Sequence, residues 1–457
     1  MRKNESNSLT EGPIWKGLLK FALPILVGQI FQQLYNTADA YIVGKFLDKN
    51  AYAAVSSSGS LVFLLVGFFS GIAIGGGVVI SRYYGAKDDE MVHKAVHTTV
   101  AFGLVAGLVL TFVGVFLTPQ ILKLMDTPPE VMENSVMYFQ MYFAGVMAIV
   151  VYNLCAGILR AVGDSRHPLY YLIISSIINV GLDILFMGVF EWKVWSAAFA
   201  TTIAQFISMI LCLIRLIRHK SVYQLQPRKL RFHRSLLAQV IKNGLPSGIQ
   251  NSIIALANVV VQSNINDFQA DAIAGCGSFA KLEGFAFLPI TCFTMALTTF
   301  VGQNLGAKQY ERTRKGARFG ILCSIILAEI IGIIMFLIPE PLVGFFQDDP
   351  NVIAYGAKQA RVQALFFFVL AYSHAIAGIL RGAGKPMVPM IVMLGSWCAL
   401  RVGFISLFVP IFERIEVVFT AYPLTWSVSS IVFLIYYLKS DWLHSYARTG
   451  KAEIADP

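Results

Sequence analysis

The sequence predicts an all-α integral membrane protein, with twelve transmembrane helices arranged as two pseudo-symmetric six-helix bundles of parallel topology. Three observations carry that prediction: a composition too apolar for water, twelve stretches long enough to cross a bilayer, and one register repeated across the two halves. Of 457 residues, 56% are hydrophobic and 14% charged, and the mean hydropathy is +0.65. An ordinary soluble domain carries about 25% charged residues. So few charges cannot solvate a string of soluble domains, so the lipid bilayer is the expected surroundings.

A spanning helix needs about 20 mostly apolar residues. Such stretches fall at 16–46, 51–81, 95–122, 134–159, 168–190 and 194–214 in the first half, and at 244–266, 272–305, 319–339, 362–380, 386–412 and 417–438 in the second. The polar stretch 1–15 precedes an apolar segment far longer than a signal-peptide core, so no cleaved leader is expected. Short cytoplasmic loops hold an excess of Lys and Arg. Counting Lys16, Lys20 and Lys45, near the ends of the first span, with the adjoining terminus and loop, 27 of the 36 basic residues lie at the termini and in the even-to-odd loops, seven lie in the opposite loops, and Lys281 and Arg401 fall deep inside spans. Both termini are therefore expected in the cytoplasm of a multi-pass protein of the inner or plasma membrane. The same bias accounts for the net charge of +10 without nucleic acid. The predicted organisation is a six-helix lobe at 1–220, a basic connector at 221–242, and a second lobe with a cytoplasmic tail at 243–457.

The duplication is explicit in the residues. Ala156-Gly157-Ile158-Leu159-Arg160, with Gly163 and Pro168, returns 221 positions later as Ala377-Gly378-Ile379-Leu380-Arg381, with Gly384 and Pro389. Gly85-Ala86-Lys87 and Gly306-Ala307-Lys308 share the offset, and Leu23-Pro24 and Leu245-Pro246 differ by 222. Repeats of even span number return the chain to its starting side, so the lobes are parallel. Transporters hold substrate between such repeats near the midplane.

Acidic groups within spans are expensive, and they are functional candidates by default. Asp39 lies about 27 Å of helix beyond Phe21, Asp183 about 22 Å beyond Pro168, and Thr201 about 9 Å in from the outer end of its span. Asn179 precedes Asp183 by one helical turn and shares its face. The four can converge, and two carboxylates in a low-dielectric site cannot both ionise cheaply. That makes a proton carrier, or, through hard oxygen ligands, a Na⁺ site built from Asp39, Asn179, Asp183 and Thr201. The offset carries Asp39 to Val261 and Asp183 to Phe404, so ion coupling is expected in the first lobe alone.

In the second lobe Glu283 and Glu329 lie near mid-depth, either able to meet a cationic substrate or to pair with Lys281 or Arg401, and His374 reads as packing. Gly67, Gly71 and Gly75 let another helix approach closely. Gly75-Gly76-Gly77 lacks the Lys-Ser/Thr of a phosphate loop. Pro24, Pro246 and Pro289 permit bends. The six cysteines lie in or beside apolar stretches without a CxxC pair and read as packing residues.

Together, Leu23-Pro24, Tyr35-Asn36-Thr37-Ala38-Asp39, Val43-Gly44, Arg82-Tyr83-Tyr84-Gly85-Ala86, Ile158 to Asp164, Asn179 with Asp183, Leu282-Glu283-Gly284 and Val301 to Ala307 resemble the multidrug and toxic compound extrusion (MATE) family, prokaryotic DinF-like branch. The resemblance covers nearly the whole chain. It implies a drug/cation antiporter working by alternating access, with two bundles forming a V-shaped cleft and no enzymatic activity or cofactor. By similarity Asp39, Asn179, Asp183 and Thr201 match the coupling site for H⁺ or Na⁺. Asn153, Tyr35, Glu283 and Arg401 are the candidate substrate contacts. Spans 7 and 10 lack the acidic residues of the NorM-like branch, which favours protons. The expected partners are small hydrophobic or cationic drugs and the bilayer, and the expected state is a monomer. The competing expectation is a flippase for a lipid-linked oligosaccharide or related precursor.

Overall fold

The computed structural model describes residues 8–46, 49–124, 127–444 and 446. Among them the regular structure is helical, without strands. In the first half the helices are α1 (Ile14–Phe46), α2 (Lys49–Gly85), α3 (Asp89–Leu124), α4 (Pro129–Ala144), α5 (Val146–Ala161), α6 (Arg166–Asp183) and α7 (Trp195–Arg218). The second half holds α8 (Arg234–Asn266), α9 (Ala270–Gly306), α10 (Tyr310–Leu337), the short α11 (Pro339–Gly344), α12 (Pro350–Gln363), α13 (Phe367–Gly382), α14 (Met387–Met393), α15 (Arg401–Phe412) and α16 (Ile415–Lys439). Eleven helical stretches are long and apolar enough to cross a membrane, and the pair α4–α5, bent by 43°, makes a twelfth. Exposed Leu, Ile, Val and Phe side chains along α3, α10 and α16 face outward, as a lipid-facing surface requires.

Several helices are interrupted, each for a local reason. The α4–α5 bend falls at Gly145, where a Cβ would lie 2.3 Å from Thr202 Oγ1 of α7. In the second half a 3₁₀ turn at Ala364–Phe366 separates α12 from α13, and Phe366 is the 221-residue counterpart of Gly145. A widened π turn at Ile184–Val189 follows α6 directly after Asp183. Another, at Leu394–Leu400, joins α14 to α15 just before Arg401. Such turns free backbone geometry within a helix and cluster at functional sites.

The duplication is built into the backbone. Left-handed residues recur in pairs: Lys87 and Lys308, Gly163 and Gly384, Glu191 and Glu413. The first two pairs close their helices with matching hydrogen bonds. Asp164 N–H donates to the Leu159 carbonyl at 2.9 Å, and Lys385 N–H to the Leu380 carbonyl at 2.9 Å. The αL residue satisfies carbonyls that a helix end leaves open.

The chain divides into two compact units, and each borrows the start of one helix. Among the described residues, unit one comprises 27–248 with residue 8, and unit two comprises 9–26 with 249–446. Within unit one, the start of α8 lies on α2. A Cβ on Gly71 would fall 2.2 Å from Gly248 N, and one on Gly75 2.3 Å from Gly244 N. The predicted glycine stripe is thus used, against a second stripe, Gly244 and Gly248. Within unit two, the start of α1 lies on α9, where Cys292 Sγ donates to the Ala22 carbonyl at 3.0 Å. Cys292 is the repeat counterpart of Gly71. The incoming chain is pinned there by Gln303, whose Oε1 accepts from Leu9 N–H at 2.9 Å, and by Asn304 and Arg312, which donate to the Leu9 carbonyl. Pro24 and Pro246 sit just before the points where α1 and α8 pass between the units, and both helices run on through them.

Candidate functional site

Within unit one, α1, α4, α6 and α7 supply a polar cluster in an apolar setting. Asp39 and Tyr35 are one turn apart on α1, and Asn179 and Asp183 are one turn apart on α6. Asp183 is 0% exposed and Asn179 1% exposed. Asp39 and Asp183 are close enough to share a side-chain hydrogen bond. That bond needs a proton on one of them, because two ionised carboxylates offer acceptors only. Without that proton, Asp39 Oδ1 and both Asp183 oxygens are buried acceptors without a donor. Asn179 Nδ2 donates to Thr201 Oγ1 at 3.4 Å, which leaves Asn179 Oδ1 as another buried, unpartnered acceptor.

The walls are apolar. Ile42, Val43, Tyr138, Tyr142, Met187, Val194, Ala197 and Ala198 form one buried cluster around the same helices. The phenols of Tyr35 and Tyr138 lie within electrostatic reach of both carboxylates. The arrangement is rich in acceptors and poor in donors, so it favours a bound proton or cation and opposes two free negative charges.

The four residues expected at the coupling site are brought together, and Tyr35, expected as a substrate contact, lies within electrostatic reach of both carboxylates. Asn153 does not join by any polar contact of its own: its Nδ2 donates to the Ile149 carbonyl of its own helix at 2.8 Å. Tyr138 and Tyr142 were missed from the sequence. Their one-turn spacing on a span was the available signal, and it is indistinguishable from packing until α1 is placed beside α4.

In unit two the equivalent place is filled with hydrocarbon. Val261 is buried in an apolar cluster against which Phe404 packs. The charged groups of this unit sit elsewhere. Arg401 is buried and donates through Nε and Nη2 to Thr425 Oγ1. Glu283 feels its charge without forming an ion pair with it. Lys281 lies over the Phe346 ring, 5.4 Å from its centroid.

Glu329, expected to meet a cationic substrate or pair with a basic residue, instead accepts from Phe368 N–H at 3.0 Å, capping the first turn of α13 where the 3₁₀ break leaves that amide open. His374 packs as expected, between Phe287 and Trp397 at ring-centroid distances of 5.7 and 5.2 Å. The cysteines are all free.

Comparisons with known proteins agree with this architecture. The family model described as MatE matches residues 24–185 and again 246–405, one match per repeat. The chain is similar to the probable multidrug resistance protein YoeA of Bacillus subtilis (strain 168), 26% identical over 433 residues and covering 93% of each chain. It is also similar to the probable multidrug resistance protein NorM of Thermotoga maritima, 27% identical over 402 residues, 86% of this chain and 85% of that one. A solved structure described as the outward-facing conformation of a multidrug resistance MATE family transporter of the MOP superfamily superposes with a TM-score of 0.90 at 21% identity, covering 97% of this chain and 99% of that one. With its duplicated helical lobes and a family model matched on both, the chain belongs to the MATE family of multidrug efflux transporters, integral multi-pass membrane proteins.

Proposed function

We propose that the chain is a proton-coupled exporter of hydrophobic, cationic compounds, working by alternating access in the plasma membrane with both termini cytoplasmic. The observation that carries this reading is the Asp39–Asp183 contact in unit one. Two buried carboxylates that close repel when both are ionised, and a proton shared between them converts the repulsion into a hydrogen bond. Proton uptake therefore favours the arrangement in which α1 and α6 are drawn together, and proton loss favours one in which they part or meet water. That gives the site a differential affinity for the proton in two conformations, the condition for coupling. A cationic substrate near the pair competes with the proton for the same negative charge, so each favours release of the other. The tyrosines and methionine around the pair suit flat organic cations.

Na⁺ is the rival transported ion, and its ligands would be the Asp39 and Asp183 carboxylates, Asn179 Oδ1 and Thr201 Oγ1. The proton is preferred because the carboxyls approach closely enough to bond each other, whereas a hard cation is held by oxygens directed at the ion. In proteoliposomes loaded with a fluorescent organic cation, an imposed pH gradient should drive efflux with no Na⁺ present. Efflux that follows a Na⁺ gradient and ignores pH would replace the proton with Na⁺. Indifference to both gradients would overturn coupling.

A further inference from the structure

The two repeats finish their last helix with different charges. In unit one Arg215, near the end of α7, lies 3.7 Å from Asp164 Oδ2, and His167 Nδ1 meets the same oxygen at 2.6 Å. Asp164 is buried, so the guanidinium has its counter-charge within the protein. The 221-residue offset carries Asp164 to Lys385 and Arg215 to Tyr436. In unit two a cation therefore stands where the acid was, and a phenol where the guanidinium was. Lys385 Nζ lies 5.9 Å from the Tyr436 ring centroid and donates to the Asp441 carbonyl at 3.4 Å. The Asp441 carboxylate is engaged by His444, whose Nδ1 is 2.7 Å from Oδ1. Lys385 forms no ion pair among the described residues.

Tyr436 also lines an open groove of about 330 Å³, together with Val432, Ile435, Lys439 and Ser440. Four of these five recur at i, i+3, i+4 and i+7, which is one stripe of α16. Val432 and Ile435 are 41% and 50% exposed on a helix long and apolar enough to cross the membrane, so that end of the groove faces acyl chains. The other end lies at the last turn of the span and holds Lys439, exposed and likewise without an ion pair among the described residues. No carboxylate lines the groove. An apolar trough that ends in two uncompensated lysines has the layout of a lipid with an anionic head, and a lysine near an anionic membrane surface is worth about a factor of five in affinity.

We propose that this end of α16 binds an anionic phospholipid of the leaflet on the Lys/Arg-rich side of the protein, with its phosphate met by Lys385 and Lys439 and a chain lying along Val432 and Ile435. The lipid is a resident of the outer surface of unit two and is separate from the transported compound. A zwitterionic phospholipid fits the apolar trough equally well but brings no net charge to the two lysines, so the selectivity is for the head.

The test places the full-length protein in phosphatidylcholine nanodiscs doped with a trace of phosphatidylglycerol or of phosphatidylcholine, each bearing the same diazirine in one acyl chain. After photolysis, adducts on residues 431–440 are counted by peptide mass spectrometry. The glycerol lipid should label the wild type there at least tenfold more than the choline lipid. Lys385→Gln and Lys439→Gln should each cut that preference about fivefold, and the double Gln variant should bring it close to parity. The double Arg variant should keep it. Labelling by the choline lipid should be the same in every variant, which shows that α16 still stands in the bilayer. Equal labelling of the wild type by the two lipids, which needs no variant, would overturn the site, as would a preference that survives the double Gln substitution. Excess glycerol 3-phosphate should leave the adducts in place, and their loss would overturn the lipid in favour of a free phosphate. Labelling requires no gradient and no transported compound, so its outcome is independent of the coupling at Asp39 and Asp183.

Discussion

Asp39 of α1 and Asp183 of α6, far apart in the sequence, meet so closely that one must carry a proton for the contact to be a bond. Asn179, Thr201 and Tyr35 surround them, and no basic side chain forms an ion pair with either among the described residues. An acid pair without a counter-charge is a poor structural device and a good proton carrier.

Replacing either acid should separate function from folding. Asp183→Asn keeps shape and polarity, and it removes the cost of burying a charge whenever the pair ionises. Proton-driven efflux should fall to background, and thermal stability at neutral pH should rise by about 1 kcal/mol rather than drop. A thermal-shift assay on the solubilised protein, run beside efflux, checks both signs.

The glycine stripes make a contrasting prediction about stability. Gly71→Ala places a methyl 2.2 Å from the Gly248 backbone nitrogen, and two helix backbones must separate to admit it. A loss of about 3 kcal/mol is expected. Gly277, with nothing within 4 Å of its Cβ position, is the control. Gly277→Ala should be neutral or stabilising by up to about 1 kcal/mol.

Glu329 should behave as a cap. Glu329→Gln retains an acceptor for Phe368 N–H and should leave transport and stability close to wild type. Glu329→Leu leaves the amide unpaired and should cost about 1–2 kcal/mol. Loss of substrate affinity in the Gln variant would return Glu329 to the transport site.

The connector carries a pH dependence. His97 Nδ1 donates to the His93 carbonyl at 2.7 Å, so its Nε2 is free to accept from Gln226 N–H at 2.9 Å. The Thr98 hydroxyl accepts from the His233 backbone N–H and shares a hydrogen bond with the His233 ring at Nδ1. Burial, then the positive charges of Arg231 and Lys94, hold His233 below its ordinary value. A base whose proton affinity is lowered by docking supports that docking above its free value, near 6.5, and the support is lost as pH falls below it. Amide exchange in residues 219–233 should therefore quicken between about pH 6.5 and 5, and His97→Phe should quicken it at Gln226 at every pH.

Much of this was legible in the sequence because its signals are local or periodic. Apolar length gave the spans, and the 221-residue register paired Gly163 with Gly384, both of which the structure places in left-handed turns. One-turn spacing put Asn179 beside Asp183, and the stripe at Gly71 and Gly75 announced a close helix contact. What was not legible depends on which helix lies beside which. The partner stripe at Gly244 and Gly248 lies in a different repeat. Tyr138 and Tyr142 become wall residues only once α1 stands against α4. Glu329 looks like a free mid-membrane acid until the 3₁₀ break opens the amide of Phe368.

The account stands most directly on proton release. Adding saturating organic cation to purified protein in weak buffer at neutral pH should release protons from the wild type, read by a soluble pH dye. Asp39→Asn and Asp183→Asn should each release none while remaining folded. Equal release from the wild type and both variants, or none from the wild type despite demonstrated binding, would contradict the claim that this carboxyl pair carries the coupled proton.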